Sequence, residues 1–335
     1  MKTVTIIDVA KRAGVSKSTV SQYLNGRYEY MGADTRERIK QAVEELGYRP
    51  NTIARSLKKK KTKTIGVILA NILYSFSTKV IRAIEDVCNR EGYQVIICNA
   101  DDNPSKEKWY IEMLLAKQVD GIIAIPTKSN IDLYRKLKER NYPLVFVDRY
   151  IDGLDISTMM LHNEKAAKMC VDELTDNGYE RIAMLTMEPI SITPRFERIQ
   201  GYKKALEDKG LKATEDYIAS APLKEMQTRL KELMALKQPP QAIIAINDLS
   251  FMQLLTFVKE NQLEVPGDLA VIGIDDISFA DLFDPPLTTI AQPAFDIGRE
   301  AAAALIQKIN NRYVMDADIR RFEPRLIRRA SSTKS

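Results

Sequence analysis

After residue 63 the chain repeats one pattern. Short apolar runs rich in Val, Ile, Leu and Ala stand at Ile65–Ala70, Val95–Cys98, Gly121–Ile125, Leu144–Val147, Ile182–Leu185, Ala242–Ile246 and Ala270–Ile274. Between them the spacing predicts amphipathic helices over Thr78–Arg90, Lys106–Lys117, Leu133–Arg140, Glu164–Asn177, Phe196–Lys209, Lys224–Leu236 and Leu249–Glu260. An unbroken apolar run bounded by helices reads as a strand buried on both faces, and the helix carries the chain back to start a parallel neighbour. The body is therefore expected to be α/β, doubly wound. Roughly 270 residues exceed one comfortable core, so two sheets side by side fit better than one. The four early strands belong to the first and the later strands to the second.

The first 63 residues follow a different rule. They hold 15 basic residues against 6 acidic ones, a net of +9, in a chain whose total is +5. The other 272 residues therefore net −4. Such a charge step points to a small module that meets a polyanion and a larger one that does something else. Helix signals are dense in the basic part. Thr5 can cap a first helix, with Asp8 three residues on, and Ile6, Val9, Ala10 and Ala13 share one face before Gly14. Ser16 can cap a second helix, Lys17 to Leu24, with Val20 and Leu24 buried. Asp34 and Glu37 suggest a capping box for a third, with Ile39, Val43 and Leu46 as its stripe and Gly47 as its stop. Two short helices across a tight Gly-containing turn make a helix-turn-helix.

In that geometry the second helix enters the major groove of double-stranded DNA. Lys17, Ser18 and Gln22 lie off its apolar face and would read base edges; Lys can donate to guanine and Gln can pair with adenine. Thr5, Ser16, Thr19 and Ser21 carry short hydroxyls suited to backbone phosphates. Beyond Pro50, a stretch with Ile53, Ala54 and Leu57 on one face is too short to be a stable helix alone. It reads either as a helix that forms when paired and docked or as a basic linker.

These residues carry a family resemblance. The segments TIIDVAKRAGVSKSTVSQYLNG, TRERIKQAVEELGYRPNTIARSL and KTIGVIL, covering the first 70 residues almost without interruption, resemble the lactose/galactose repressor family of bacterial transcription regulators. The resemblance implies a small all-α helix-turn-helix head on residues 1–49 and a hinge helix with linker on 50–62. It also implies an α/β core of two doubly wound parallel-sheet lobes on 63–335, like that of periplasmic sugar-binding proteins. It implies that the chain recrosses between lobes, giving one lobe of about 63–161 plus 292–321 and another of about 162–291 plus 322–335. It places Lys17, Ser18 and Gln22 on base-reading positions. Asn51, Ala54 and Leu57 fall on the hinge, where Leu57 would wedge a base step in the minor groove.

Ligands of open parallel sheets bind beyond the carboxyl ends of the strands. Polar residues stand there at several ends, and the resemblance selects Asp148, Arg198, Asn247 and Asp275 as effector contacts. Arg149 lies beside them, and Arg149 and Arg198 would suit a carboxylate, with Asp148, Asn247 and Asp275 suited to hydroxyls; Phe76 would supply an apolar wall. Asp248 and Asp276 read as helix caps. The stretch STVSQYLNGRYEYM resembles, within the family, regulators of pectin and sugar-acid breakdown, which makes a sugar acid the expected effector and a neutral sugar the alternative.

Other classes fit less well. No phosphate-cradling Gly-x-x-x-x-Gly-Lys-Ser/Thr, no Gly-x-Gly-x-x-Gly after a strand and no Gly-x-Ser-x-Gly elbow occurs. His162 is the only histidine and reads as a surface or interdomain hydrogen-bonder rather than a catalytic base. Cys88, Cys98 and Cys170 lack metal-ligand spacing and read as reduced, buried thiols. No enzyme activity, cofactor or metal is expected. The opening residues lack a secretory pattern and no apolar run approaches a membrane span, so a cytoplasmic location without membrane contact is expected, and a transport protein is disfavoured. The expected partners are operator DNA with near-palindromic half-sites, a small carbohydrate effector and a second copy of the chain. No leucine heptad follows Ile327, so a homodimer rather than a tetramer is anticipated.

Overall fold

The computed structural model describes residues 4–48, 61–310 and 318–334. The chain divides into two compact units, Met1–Thr62 and Lys63–Ser335. The hinge positions Asn51, Ala54 and Leu57 lie outside the described residues.

In the head, α1 (Ile6–Ala13), α2 (Lys17–Leu24) and α3 (Ala33–Glu45) enclose a core of Val9, Ala10, Ala13, Val20, Ile39 and Ala42. The Asp8 carboxylate accepts from the Thr5 amide at 2.9 Å and from its hydroxyl at 2.7 Å, which closes the first turn of α1. Gly14 ends α1 at φ 62°, a left-handed conformation that a side chain would resist. Ser16 accepts from the Thr19 amide at 3.1 Å and starts α2. The third helix departs from expectation. Gly32 is its N-cap, so Asp34 sits inside the first turn and forms no capping box; it pairs instead with Arg38 at 3.2 Å. Arg38 also donates to the Ala13 carbonyl at 3.2 Å, tying α3 to the C-terminal end of α1. A 3-10 turn at Tyr28–Tyr30 had no apolar period to announce it; Tyr28 stacks edge-on with Tyr23 and lies under Arg36.

The body contains two six-stranded sheets. The first holds β1 (Thr64–Leu69), β2 (Gln94–Asn99), β3 (Gly121–Ala124), β4 (Leu144–Val147), β5 (Thr158–Leu161) and β11 (Ile319–Phe322), in the order β11-β5-β4-β3-β1-β2, all parallel. The second holds β6 (Ile182–Met187), β7 (Ile218–Ala221), β8 (Ala242–Ala245), β9 (Ala270–Ile274), β10 (Thr288–Ala291) and β12 (Arg325–Ile327), in the order β12-β10-β9-β8-β6-β7, with only β12 antiparallel. Helices flank both faces: α4 (Ser75–Arg90), α5 (Pro104–Ala116) and α6 (Ile131–Glu139) on the first, then α7 (Asn163–Asp176), α8 (Thr193–Asp208), α9 (Met226–Met234) and α10 (Asp248–Glu260) on the second. The chain passes between sheets three times, from β5 to α7, from β10 to α11 (Ala294–Ile309) and from β11 to β12.

The seven Val/Ile runs are all strands. None of those runs covers β5, β7, β10, β11 or β12. Thr158–Leu161 carries two methionines, and β11 at a sheet edge exposes two arginines, so neither shows an aliphatic run. No predicted helix covers α11, whose buried face mixes Gly298, Ala301 and Ala302 with Ile297 and Leu305. Those small residues let α11 approach α4: a Cβ on Gly298 would lie 2.6 Å from the Val80 carbonyl oxygen. The three cysteines are free and buried, and burial pushes the Cys88 and Cys98 thiols up to about 11.

Candidate functional site

The carboxyl ends of β1, β3 and β4 face those of β8 and β9 across a cleft, where ligands of parallel sheets bind. Phe76, Asp148, Arg149, Arg198, Asn247 and Asp275 all line one cavity there, of about 50 Å³. Several stand on unusual backbone. Asp148 follows β4 at φ 65°, Asp275 follows β9 at φ 108°, and Asp102 beyond β2 has φ 53°. Left-handed non-glycine residues cost energy and cluster where side-chain aim matters more than local stability.

Each side chain has a definite environment. Arg149 is buried and pairs with Asp102 at 2.7 Å, while its Nε has no hydrogen-bond partner among the described residues. Arg198 donates from Nε to Asn163 Oδ1 at 2.9 Å and from Nη1 to the Ile246 carbonyl at 2.5 Å. Asn163 Nδ2 in turn donates to Glu197 at 2.9 Å, and Glu197 holds Arg321 of β11 through two bonds of 2.7 and 2.9 Å. A continuous polar network thus runs from the cleft to a crossing between lobes. Asp275 accepts from Gln292 at 2.5 Å, and burial with the Asp248 charge pushes its carboxyl up to about 7. Burial also raises Asp148, against the pull of Arg149 and Arg198. Phe76 belongs to the cavity wall and to the hydrophobic core of the first lobe at once.

Three residues make contacts other than those expected. Asn247 is the helix cap: its Oδ1 accepts from the Ser250 amide at 2.9 Å, which commits that oxygen to α10. Asp248, the first residue of α10, accepts from the Leu249 amide at 2.8 Å and also reaches the other lobe, where it accepts from the Ser75 amide at 2.6 Å. Nor does Asp276 cap a helix; it accepts from the Thr289 hydroxyl at 2.8 Å and pairs with Arg329. His162 stands at a crossing, with its Nδ1 buried and unpartnered among the described residues. Tyr74, Arg195 and Gln292 also line the cavity and were not singled out in the sequence. Arg195, three residues before Arg198, is buried and donates to the Tyr74 hydroxyl at 3.2 Å and the Pro189 carbonyl at 3.2 Å. A one-turn spacing of arginines at the start of a helix was the signal that could have found it.

In the head, Lys17 and Ser18 are exposed and Gln22 is half-buried on α2, whose buried residue is Val20. The hydroxyls are already engaged: Ser16 with Ser18 at 2.6 Å and with Thr19 at 2.9 Å, and Thr5 with Asp8. The Ser21 carbonyl accepts from Asn25 Nδ2 at 2.6 Å.

Comparison with known proteins matches both units. Residues 5–51 match the model for bacterial regulatory proteins of the lacI family, and residues 171–332 match a periplasmic binding protein-like domain. The chain is 48% identical to the probable HTH-type transcriptional regulator EndR of Paenibacillus polymyxa, over 92% of this chain and 91% of that one. The chain belongs to the LacI family of bacterial regulatory proteins.

This LacI-family member is a DNA-binding transcriptional repressor and not an enzyme. It is 36% identical to the HTH-type transcriptional regulator KdgR of Bacillus subtilis (strain 168), over 91% of each chain. Among solved structures it resembles the lac repressor dimer bound to operator and the anti-inducer ONPF, with TM-score 0.85 and 26% identity over 99% of this chain and 100% of that one. It also resembles the transcriptional regulator CelR–cellobiose complex, with TM-score 0.73 and 25% identity over 98% of this chain and 99% of that one. Among the described residues no helix is long and apolar enough to cross a membrane.

Proposed function

We propose that this repressor controls genes of carbohydrate breakdown from the cytoplasm, that it binds a near-palindromic operator as a homodimer, and that its effector is a sugar acid. One observation carries the choice of effector. Arg195 is a buried guanidinium on the cavity wall, and no carboxylate among the described residues pairs with it. A buried charge without a counter-ion is costly, and an incoming carboxylate would supply the partner through charge-assisted hydrogen bonds. Asp148 and Asp275 would grip hydroxyls of the same ligand. In the head, Lys17, Ser18 and Gln22 would read bases, with Thr5, Ser16, Thr19 and Ser21 against phosphates. Asn51, Ala54 and Leu57 would enter the minor groove. The functional limits proposed are 1–49, 50–62 and 63–335.

A thermal-shift panel of sugar acids, sugar phosphates and neutral sugars tests the effector. Stabilisation by sugar acids that disappears in R195Q supports the reading; stabilisation by neutral sugars alone, of the kind named in the CelR–cellobiose complex, refutes it.

A further inference from the structure

A second cavity adjoins the first. It is larger, at about 210 Å³, and the two share Arg149 and Ile192. Its walls combine rigid apolar faces from Pro104, Pro126 and Pro189 with hydroxyls of Ser129, Ser191 and Tyr150. Apolar walls with a few placed polar groups are the usual make-up of a small-molecule site, and hydroxyls can both donate and accept. The turn that carries Thr127 and Ser129 is pinned from beneath. Glu107 is fully buried on α5 and accepts from the Thr127 amide at 2.9 Å, the Tyr134 hydroxyl at 2.7 Å, the Thr127 hydroxyl and Asn130 Nδ2. A satisfied buried network of this kind fixes a wall in one geometry. At the junction stands Arg149, held by Asp102 at 2.7 Å, its buried Nε 3.9 Å from Asp148 Oδ2 and without a hydrogen bond among the described residues.

We infer that the effector is a glycoside of at least two sugar units, one in the cavity beside Arg195 and Arg198 and the next in the cavity between the three prolines, with Arg149 donating to the linkage between them. This rests on the carbohydrate-effector reading but not on the acid. The first cavity alone, at about 50 Å³, leaves little room, whereas the second adds about 210 Å³ on the other side of Arg149 and Ile192. The polar hydroxyl-and-proline wall suits the two sides of a pyranose ring, one edged with hydroxyls and the other with C–H groups.

Calorimetric titration of the full chain with galacturonate against digalacturonate, and glucose against cellobiose, tests it. One disaccharide is expected to bind at least tenfold more tightly than its own monosaccharide. S191W, which fills the second cavity from an exposed position, is expected to weaken that disaccharide at least tenfold more than the monosaccharide. S129W repeats the test from the opposite wall should S191W fail to fold. Equal affinity for one and two units, or equal weakening of both by the tryptophan, overturns the inference while leaving a carbohydrate effector in place. The expected pattern with cellobiose alone upholds the inference and removes the acid. Binding of none of the four overturns both.

Discussion

The Ser75 amide, at the start of α4 in one lobe, donates to Asp248 Oδ2, at the start of α10 in the other, over 2.6 Å. The same carboxylate receives the Leu249 amide at 2.8 Å, so it anchors its own helix and reaches across the cleft. Nearby, Lys79 Nζ meets the Asp276 carbonyl at 3.1 Å. A hydrogen bond to a charged, part-buried acceptor contributes about 1.5–3 kcal/mol. D248A is therefore expected to lower the unfolding free energy by about 1–3 kcal/mol in urea titration and to enlarge the radius of gyration in X-ray scattering. D248N keeps an acceptor and should do less. No change in either measurement for D248A would show that the contact does not hold the lobes.

The Asp275 carboxyl gives a pH signature. Its value in the folded chain is pushed from 3.8 up to about 7, first by burial and then by Asp248. Between these values the folded chain retains a proton that the unfolded chain has lost. Stability from this group is complete below about pH 4, falls as pH rises and is lost above about 7. D275N should flatten that decline and raise stability at pH 8 by on the order of 2 kcal/mol, since each unit is worth about 1.4 kcal/mol and the neighbouring carboxylate shares the effect. Parallel urea titrations at pH 5 and pH 8 check this; identical slopes for both proteins would contradict it.

Gly201 sets the spacing of α7 and α8. A Cβ there would lie 2.4 Å from the Glu164 carbonyl oxygen and 2.6 Å from its Cα, atoms of a backbone that cannot step aside alone. G201A is expected to lower stability by about 1–3 kcal/mol through overpacking, despite the better helix propensity of alanine. Because Arg198 sits one turn earlier on the same helix, effector affinity should fall with it. Thermal melts and ligand titration of this variant report both; an unchanged melting temperature would mean the helices can separate freely.

The head offers a separate test. If Gln22 reads a base, Q22A should weaken operator binding by about 1–3 kcal/mol while hardly changing binding to random DNA. If Lys17 meets mainly phosphate, K17A should weaken both and reduce the salt dependence. Fluorescence anisotropy across a salt series separates the two, and equal loss on operator and random DNA for Q22A would count against base reading.

Much of the fold was legible because buried parallel strands leave little freedom: Ile65, Val145 and Ile272 can only be inside, and each sits in an unbroken apolar run. The edge strands escaped because an edge is half-solvated, and Arg320 and Arg321 look like loop residues until Arg321 meets Glu197 across the crossing. Strand ends pointed to the cleft, yet could not assign roles within it. Asn247 and Asp248 are adjacent and chemically similar; which one caps and which one crosses depends on where Ser75 arrives, and that is set 173 positions away. Arg195 was hidden for the same reason, since a charged residue on the first turn of a helix is ordinary until the other lobe closes over it.

The order of strands has a consequence for how the chain is made. β11 and β12 are neighbours in sequence, and each completes a different sheet, β11 beside β5 and β12 beside β10. Residues 319–327 thus finish both lobes almost simultaneously, after the other ten strands have been made. Until they emerge, β5 and β10 present bare backbone edges, and such edges invite pairing with other chains. The nascent protein must carry two unfinished sheets until residues 319–327 are made, and a message truncated before codon 319 would yield a product prone to aggregate rather than a partly active repressor.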